Sequence, residues 1–270
     1  MKYGVRLRGE SLVKLPCYFY VGTKNVLAIP GNIGKLSSKT VRTLTMKGYG
    51  QYCPIAKATE VVGERWTNLV IRELAAGSHT FNDLRRGLPL MSPSLLSSRL
   101  KTLDEAGVVE RTAAEGHVNY TLTNAGEELT KIIWQLGTWG HRWVRSELTA
   151  EDLDPSLLVW DMHRTIGPGF FKAPRTVIRI EFTDYASKFR FWWLVITRDN
   201  VDVCYQDPGH EVDLGISTDL RTLTAAWMGD TTIMREIREK QIVLSGSPYL
   251  KKNIAVWLGT NYYADVKRAK

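Results

Sequence analysis

The stretch SPSLLSSRLKTLDEAGVVER, Ser92–Arg111, constrains this chain more than any other. Ser92 before Pro93 predicts a helix cap followed by proline at the first helical position. Leu96, Leu100 and Leu103 then recur at helical spacing, Leu95 widens their stripe, and Gly107 ends the helix. The opposite face is the unusual part. It carries Ser94, Ser97, Ser98 and Lys101, with Arg99 at its boundary. A face made only for water usually carries more Glu and Lys. Short polar side chains instead let a helix press close to another polar surface, as base edges in a DNA groove require.

The flanking segments fit that use. Ile55, Ala58, Val62 and Trp66 form one predicted helical stripe, and Leu69, Ile71 and Leu74 belong to a second helix ending at Gly77. Thr80 is a predicted cap for a short third helix with Phe81, Leu84 and Leu88. Arg85 and Arg86 on that helix are placed to reach phosphates. After Gly107, two β-like runs turn around Glu115-Gly116, with Val118, Tyr120 and Leu122 alternating with polar residues. His117 sits in this candidate wing. A long helix follows, with Leu129, Ile132, Ile133, Leu136, Trp139 and Trp143 as its apolar stripe. That stripe is broader than a small domain's own core requires. Four helices, a hairpin and a helix are the order of a winged helix-turn-helix followed by an association helix.

A second regime begins near Glu151. LDPSLLVWDMH starts a helix, and RTVIRIEFTD alternates Ile178, Ile180 and Phe182 against Arg179 and Glu181. In FRFWWLVIT both faces are apolar, which predicts that both are covered. VDVCYQD and HEVDLGIST complete an expected antiparallel sheet, helices are expected around 220–228 and 231–238, QIVLSG reads as a short strand, and SPYLKKNIAVWLG as a closing helix capped by Ser247. The fold class expected is α+β, in three parts: a basic extension over 1–45, the winged helix over 46–145 and a second domain over 151–268.

Charge needs dissecting before it argues for DNA. Of the formal +8, +7 lies in residues 1–45, where eight Lys or Arg face one acid, Glu10. The folded body is therefore close to neutral, and pI alone says little about its partner. Either Met46 is the true start, or the leader is a poorly ordered extension or a basic arm touching the DNA backbone. Cys17, Cys53 and Cys204 are too few and scattered for a disulfide framework, so a reducing cytoplasm is expected. No apolar run reaches membrane-spanning length. The chain carries no G-x-G-x-x-G, P-loop, H-E-x-x-H or G-x-S-x-G motif, and His79, His117, His141, His163 and His210 are isolated. Neither an enzyme, a cofactor nor a metal is expected.

The segment from "YCPIAKATEVVGERWTNLVIRELAAGSHTFNDLRRGLPLMSPSLLSSRL" to "LGTWGHRW", about residues 51–143, resembles the HxlR-type branch of the MarR-like winged helix regulators. The resemblance implies a homodimeric transcriptional regulator, often a repressor, with recognition helices in major grooves about 34 Å apart on a pseudo-palindrome. It implies that the helix carrying Ile133, Leu136, Trp139 and Trp143 helps build the dimer. It also makes Cys53, beside Pro54 at a helix start, a candidate thiol sensor, against the alternative of a small packing residue. Residues 151–265 are similar to sterol-carrier-protein-like domains, which enclose an apolar cavity. On that likeness Trp192, Trp193, Trp227 and Trp257 are candidate lining groups for an apolar small molecule, or else plain core. The alternative function is a lipid or small-molecule carrier whose winged helix mediates protein contacts.

Overall fold

The computed structural model describes residues 48–114, 116–144 and 148–269; the extension expected over 1–45, with Cys17, lies outside them. The chain enters α1 (Pro54–Val62), α2 (Thr67–Ala75), α3 (Phe81–Gly87) and α4 (Pro93–Glu105). A hairpin of β1 (Val109–Ala114) and β2 (His117–Leu122) follows, then α5 (Asn124–Trp143). Local chemistry sets these boundaries. The Thr80 hydroxyl accepts from Asp83 N, that of Ser92 from Leu95 N, and that of Thr123 from Gly126 N. Each such cap is worth about 1 kcal/mol. Gly107 turns the chain at φ +69°, a left-handed conformation that favours glycine.

Leu96, Leu100 and Leu103 are buried with Val70, Ile71, Leu74 and Leu84 in one core. Burying each leucine stabilises the domain by roughly 1.5–3 kcal/mol. The first expected stripe is not continuous. α1 stops at Val62, Trp66 opens α2 with φ +78°, and Ile55 is exposed. Leu69 likewise points outward, and Val70 takes the buried place beside Ile71.

The second half comprises α6 (Pro155–His163), β3 (Arg175–Phe182), α7 (Ser187–Arg190), β4 (Phe191–Thr197) and β5 (Val201–Cys204). Then come β6 (Leu214–Thr218), α8 (Leu220–Met228), α9 (Ile233–Arg238), β7 (Val243–Gly246), α10 (Pro248–Lys252) and α11 (Ile254–Trp257). The sheet order is β5-β4-β3-β6-β7. Three pairings are antiparallel, as expected, but β3 and β6 run parallel, with Ile178 opposite Leu214 and Ile180 opposite Ile216. Residues 205–213 therefore cross β4 and β3 between β5 and β6. Asp213 ties the end of that crossing to β3: its N donates to Val177 O at 2.9 Å, and its carboxylate accepts from Val177 N at 2.7 Å.

One sheet face supplies Ile178, Ile180, Phe182, Trp192, Leu194 and Ile196 to a core shared with α6, α8, α10 and α11. Trp193, Val195 and Val177 are buried too, though the β pairing sets them on the other face. The two cores belong to one compact unit, in which α3 packs on α6. Among the described residues no helix is long and apolar enough to cross a membrane.

Candidate nucleic-acid interface

The outward face of α4 is bare. Ser94, Ser97, Ser98 and Lys101 are exposed, and the Lys101 side chain keeps 77% of its surface with only a loose 3.9 Å approach to Glu105. Arg85 of α3 and His117 at the start of β2 are exposed as well. This surface carries hydroxyls and cations, the groups that meet base edges and phosphates.

Three expected contact residues also make contacts within the chain. Ser92 is exposed, but its hydroxyl is the α4 cap and also bonds that of Ser94 at 3.2 Å. Arg99 is only 16% exposed; its Nη2 meets Glu64 Oε2 at 2.8 Å and its Nε donates to Arg65 O at 3.2 Å. It fastens α4 to the α1–α2 turn instead of facing outward. The Arg86 guanidinium lies over the ring of Trp160 from α6, 5.3 Å from its centroid, and 3.7 Å from Asp83. Arg86 thus connects the winged helix to the second half of the chain.

α5 divides its apolar residues between two duties. Leu129 and Ile133 pack on the winged-helix core and are partly buried there. Ile132, Leu136, Trp139 and Trp143, at i, i+4, i+7 and i+11, remain 51–63% exposed along one line. Trp134 turns elsewhere, its ring 4.9 Å from Tyr262 and 5.9 Å from Tyr263 near the C-terminus. Gly137 makes room for that docking, since a Cβ there would lie within 2.0 Å of the Tyr263 hydroxyl.

The four candidate pocket tryptophans fall on both faces of the sheet. Trp192, Trp227 and Trp257 are built into the core between sheet and helices, whereas Trp193 faces the other side of the sheet. The void beside Trp227 is about 10 Å³, at most one water.

Cys53 is a free, half-buried thiol at the start of α1, and its side chain makes no capping bond.

A buried charge cluster escaped the sequence reading. Glu73 of α2 is wholly buried, yet it accepts from Arg164 Nη2 at 2.5 Å, Arg72 Nη2 at 2.6 Å and Ser78 Oγ at 3.2 Å. Burial alone would raise its pKa, but the hydrogen bond from Arg164 and the two arginine charges outweigh this and hold it below the ordinary value. Asp161, 3.3 Å from Arg164, is pushed up by burial. One signal for Glu73 was available: a carboxylate standing inside the apolar run NLVIRELA.

Residues 61–148 match the family model described as HxlR-like helix-turn-helix. The chain is 32% identical over 112 residues to YvaP of Bacillus subtilis, an uncharacterized HTH-type transcriptional regulator, covering 40% of this chain and 95% of that protein. It is 34% identical over 139 residues to Mb3122 of Mycobacterium bovis, similarly named, covering 43% and 87%. Among solved structures, the reduced form of the transcriptional regulator YodB from B. subtilis is similar at 31% identity, over 33% of this chain and 92% of that one, with a TM-score of 0.31. Identity to YvaP extends over nearly the whole of that protein, and the chain belongs to the HxlR-like helix-turn-helix family.

Proposed function

We propose that this chain is a sequence-specific DNA-binding transcriptional regulator, working as a repressor. α4 enters the major groove, the β1–β2 hairpin is the wing, and Arg85 meets the backbone. Two copies join through the exposed line Ile132, Leu136, Trp139 and Trp143, so that two α4 helices address successive grooves of a pseudo-palindromic operator. The observation that carries the reading is the bare serine and lysine face of α4, set opposite three fully packed leucines. The names of YvaP and Mb3122 as HTH-type regulators support it.

The regulatory input is assigned to two places. Cys53 is a free thiol at the start of α1, beside the exposed Tyr52 and Ile55, so its modification would alter a surface available to a partner. The second half, whose order of strands and late helices supports the sterol-carrier-like reading, is the small-molecule sensor. It is coupled to α2 and α3 through Arg164 and Trp160. A ligand acts by binding the two dimer geometries unequally.

The deciding experiment is electrophoretic mobility shift with the gene's own upstream DNA at several salt concentrations. A regulator binds it over unrelated DNA, with affinity falling steeply as salt rises. Equal weak binding to both DNAs would reject the reading and favour the carrier function.

A further inference from the structure

We infer that the groove between α9, β7 and α10 binds a single-chain anionic amphiphile, an alkyl carboxylate free in solution. This rests on the sensing role proposed for the second half and gives it a site and a ligand class. The groove has a volume of about 510 Å³, within the range of small-molecule sites. Its floor is Ile237, Ile242 and Leu244. Its remaining polar lining is cationic: Lys240, Lys251 and Lys252, with no carboxylate or hydroxyl among the lining side chains.

Charge decides the class. None of the three lysines is ion-paired among the described residues. The carboxylates of α9 are engaged elsewhere, Glu239 with Arg235 at 2.8 Å and Glu236 with Thr231 at 2.5 Å. An apolar floor asks for an alkyl chain, and three unpaired ammonium groups at its edge ask for one anionic end. Lys240 is placed by the end of α9: its φ of +60° belongs to the left-handed cap in which Gln241 N donates to Glu236 O at 2.9 Å. β7 is an outer strand of the sheet, so the groove opens at its margin without disturbing the filled core.

The test is calorimetric titration of the full chain with dodecanoate below its micelle concentration, alongside dodecanol, acetate and phosphatidylglycerol vesicles. Saturable dodecanoate binding is expected, with dodecanol weaker and acetate silent. The combined variant Lys240→Asn, Lys251→Gln, Lys252→Gln should weaken dodecanoate at least tenfold and leave dodecanol unchanged. Met234→Glu, at an exposed position beside the floor, should weaken both ligands and preserve the melting temperature. Absent dodecanoate binding, unchanged affinity in the lysine variant, or binding of vesicles alone would each overturn the inference. So would sedimentation showing that Met234→Glu splits a dimer, because a second copy would then fill the groove. DNA binding measured on the same samples keeps the two readings apart. Retained DNA binding without dodecanoate binding removes only the groove, and the reverse removes only the regulator.

Discussion

Arg164 reaches from the end of α6 into the winged helix and places its Nη2 2.5 Å from Oε2 of the fully buried Glu73. The two residues are 91 positions apart in sequence, and Ser78 closes the group by accepting from the same guanidinium at 2.8 Å. A carboxylate in an apolar interior persists only when its charge is answered there. The pair therefore ties the fold of the DNA-reading half to the presence of the second half.

Arg164→Ala leaves Glu73 buried with Arg72 and the Ser78 hydroxyl. It should lower unfolding stability by about 3 kcal/mol, read from urea denaturation. The pH dependence follows from the depressed Glu73 pKa. Its contribution is complete above the ordinary carboxylate value of 4.5 and is lost as pH falls through the lower folded value. Glu73→Gln should remove that part of the acid sensitivity. An unchanged acid limb in Glu73→Gln would show that the pair contributes nothing.

On α4, Ser97→Glu should reduce operator affinity by tenfold or more, and Lys101→Ala should reduce affinity and relax sequence preference. Arg85→Ala should weaken all sequences alike and lower the salt slope by about 1. Arg99→Ala should differ in kind. It releases Glu64 and Arg65, so the melting temperature should drop along with DNA binding. Mobility shifts paired with thermal melts separate the two outcomes.

The exposed line on α5 should hold two copies together. Leu136→Asp combined with Trp139→Glu puts charge on surface that is already solvent-exposed, so the fold should survive while sedimentation shows a monomer. Operator affinity should fall with it, because each half-site would then be bound alone. A wild-type chain that sediments as a monomer at micromolar concentration would contradict the proposed assembly.

Burial raises the Tyr263 hydroxyl to a pKa of about 12. The unfolded tyrosine ionises near 10, so stability present below that pH should decline between pH 10 and 12. Tyr263→Phe should flatten this alkaline limb. Gly137→Ala should displace the ring and lower stability by roughly 1–3 kcal/mol. Absorbance titration at high pH and thermal melts check both.

Diamide or a quinone should weaken operator binding by the wild type and leave Cys53→Ser unaffected. Equal responses in both proteins would make Cys53 a packing residue only.

The sequence by itself determined the local elements: the caps at Thr80 and Ser92, the Gly107 stop, and the leucine stripe of α4. These depend on neighbours three or four residues away, and α4, the hairpin and α5 fall where that spacing places them. Tertiary structure decided which side chains stay free. Arg99 and Arg86 read alike in sequence, and the fold pairs Arg99 with Glu64 while it sets Arg86, its side chain still 61% exposed, over Trp160. The stripe of α5 was legible, but its division between Leu129 and Ile133 within and Leu136 and Trp139 without depends on what packs beside it. Periodicity records that a residue is apolar and not which surface covers it. The tryptophans of the second half are alike in that respect: the sequence shows that they are apolar, and the fold sets Trp192, Trp227 and Trp257 in the core and Trp193 on the other sheet face. The Glu73–Arg164 pair marks the limit most sharply, because a buried charge is tolerable only through a partner that the folded chain brings from far away.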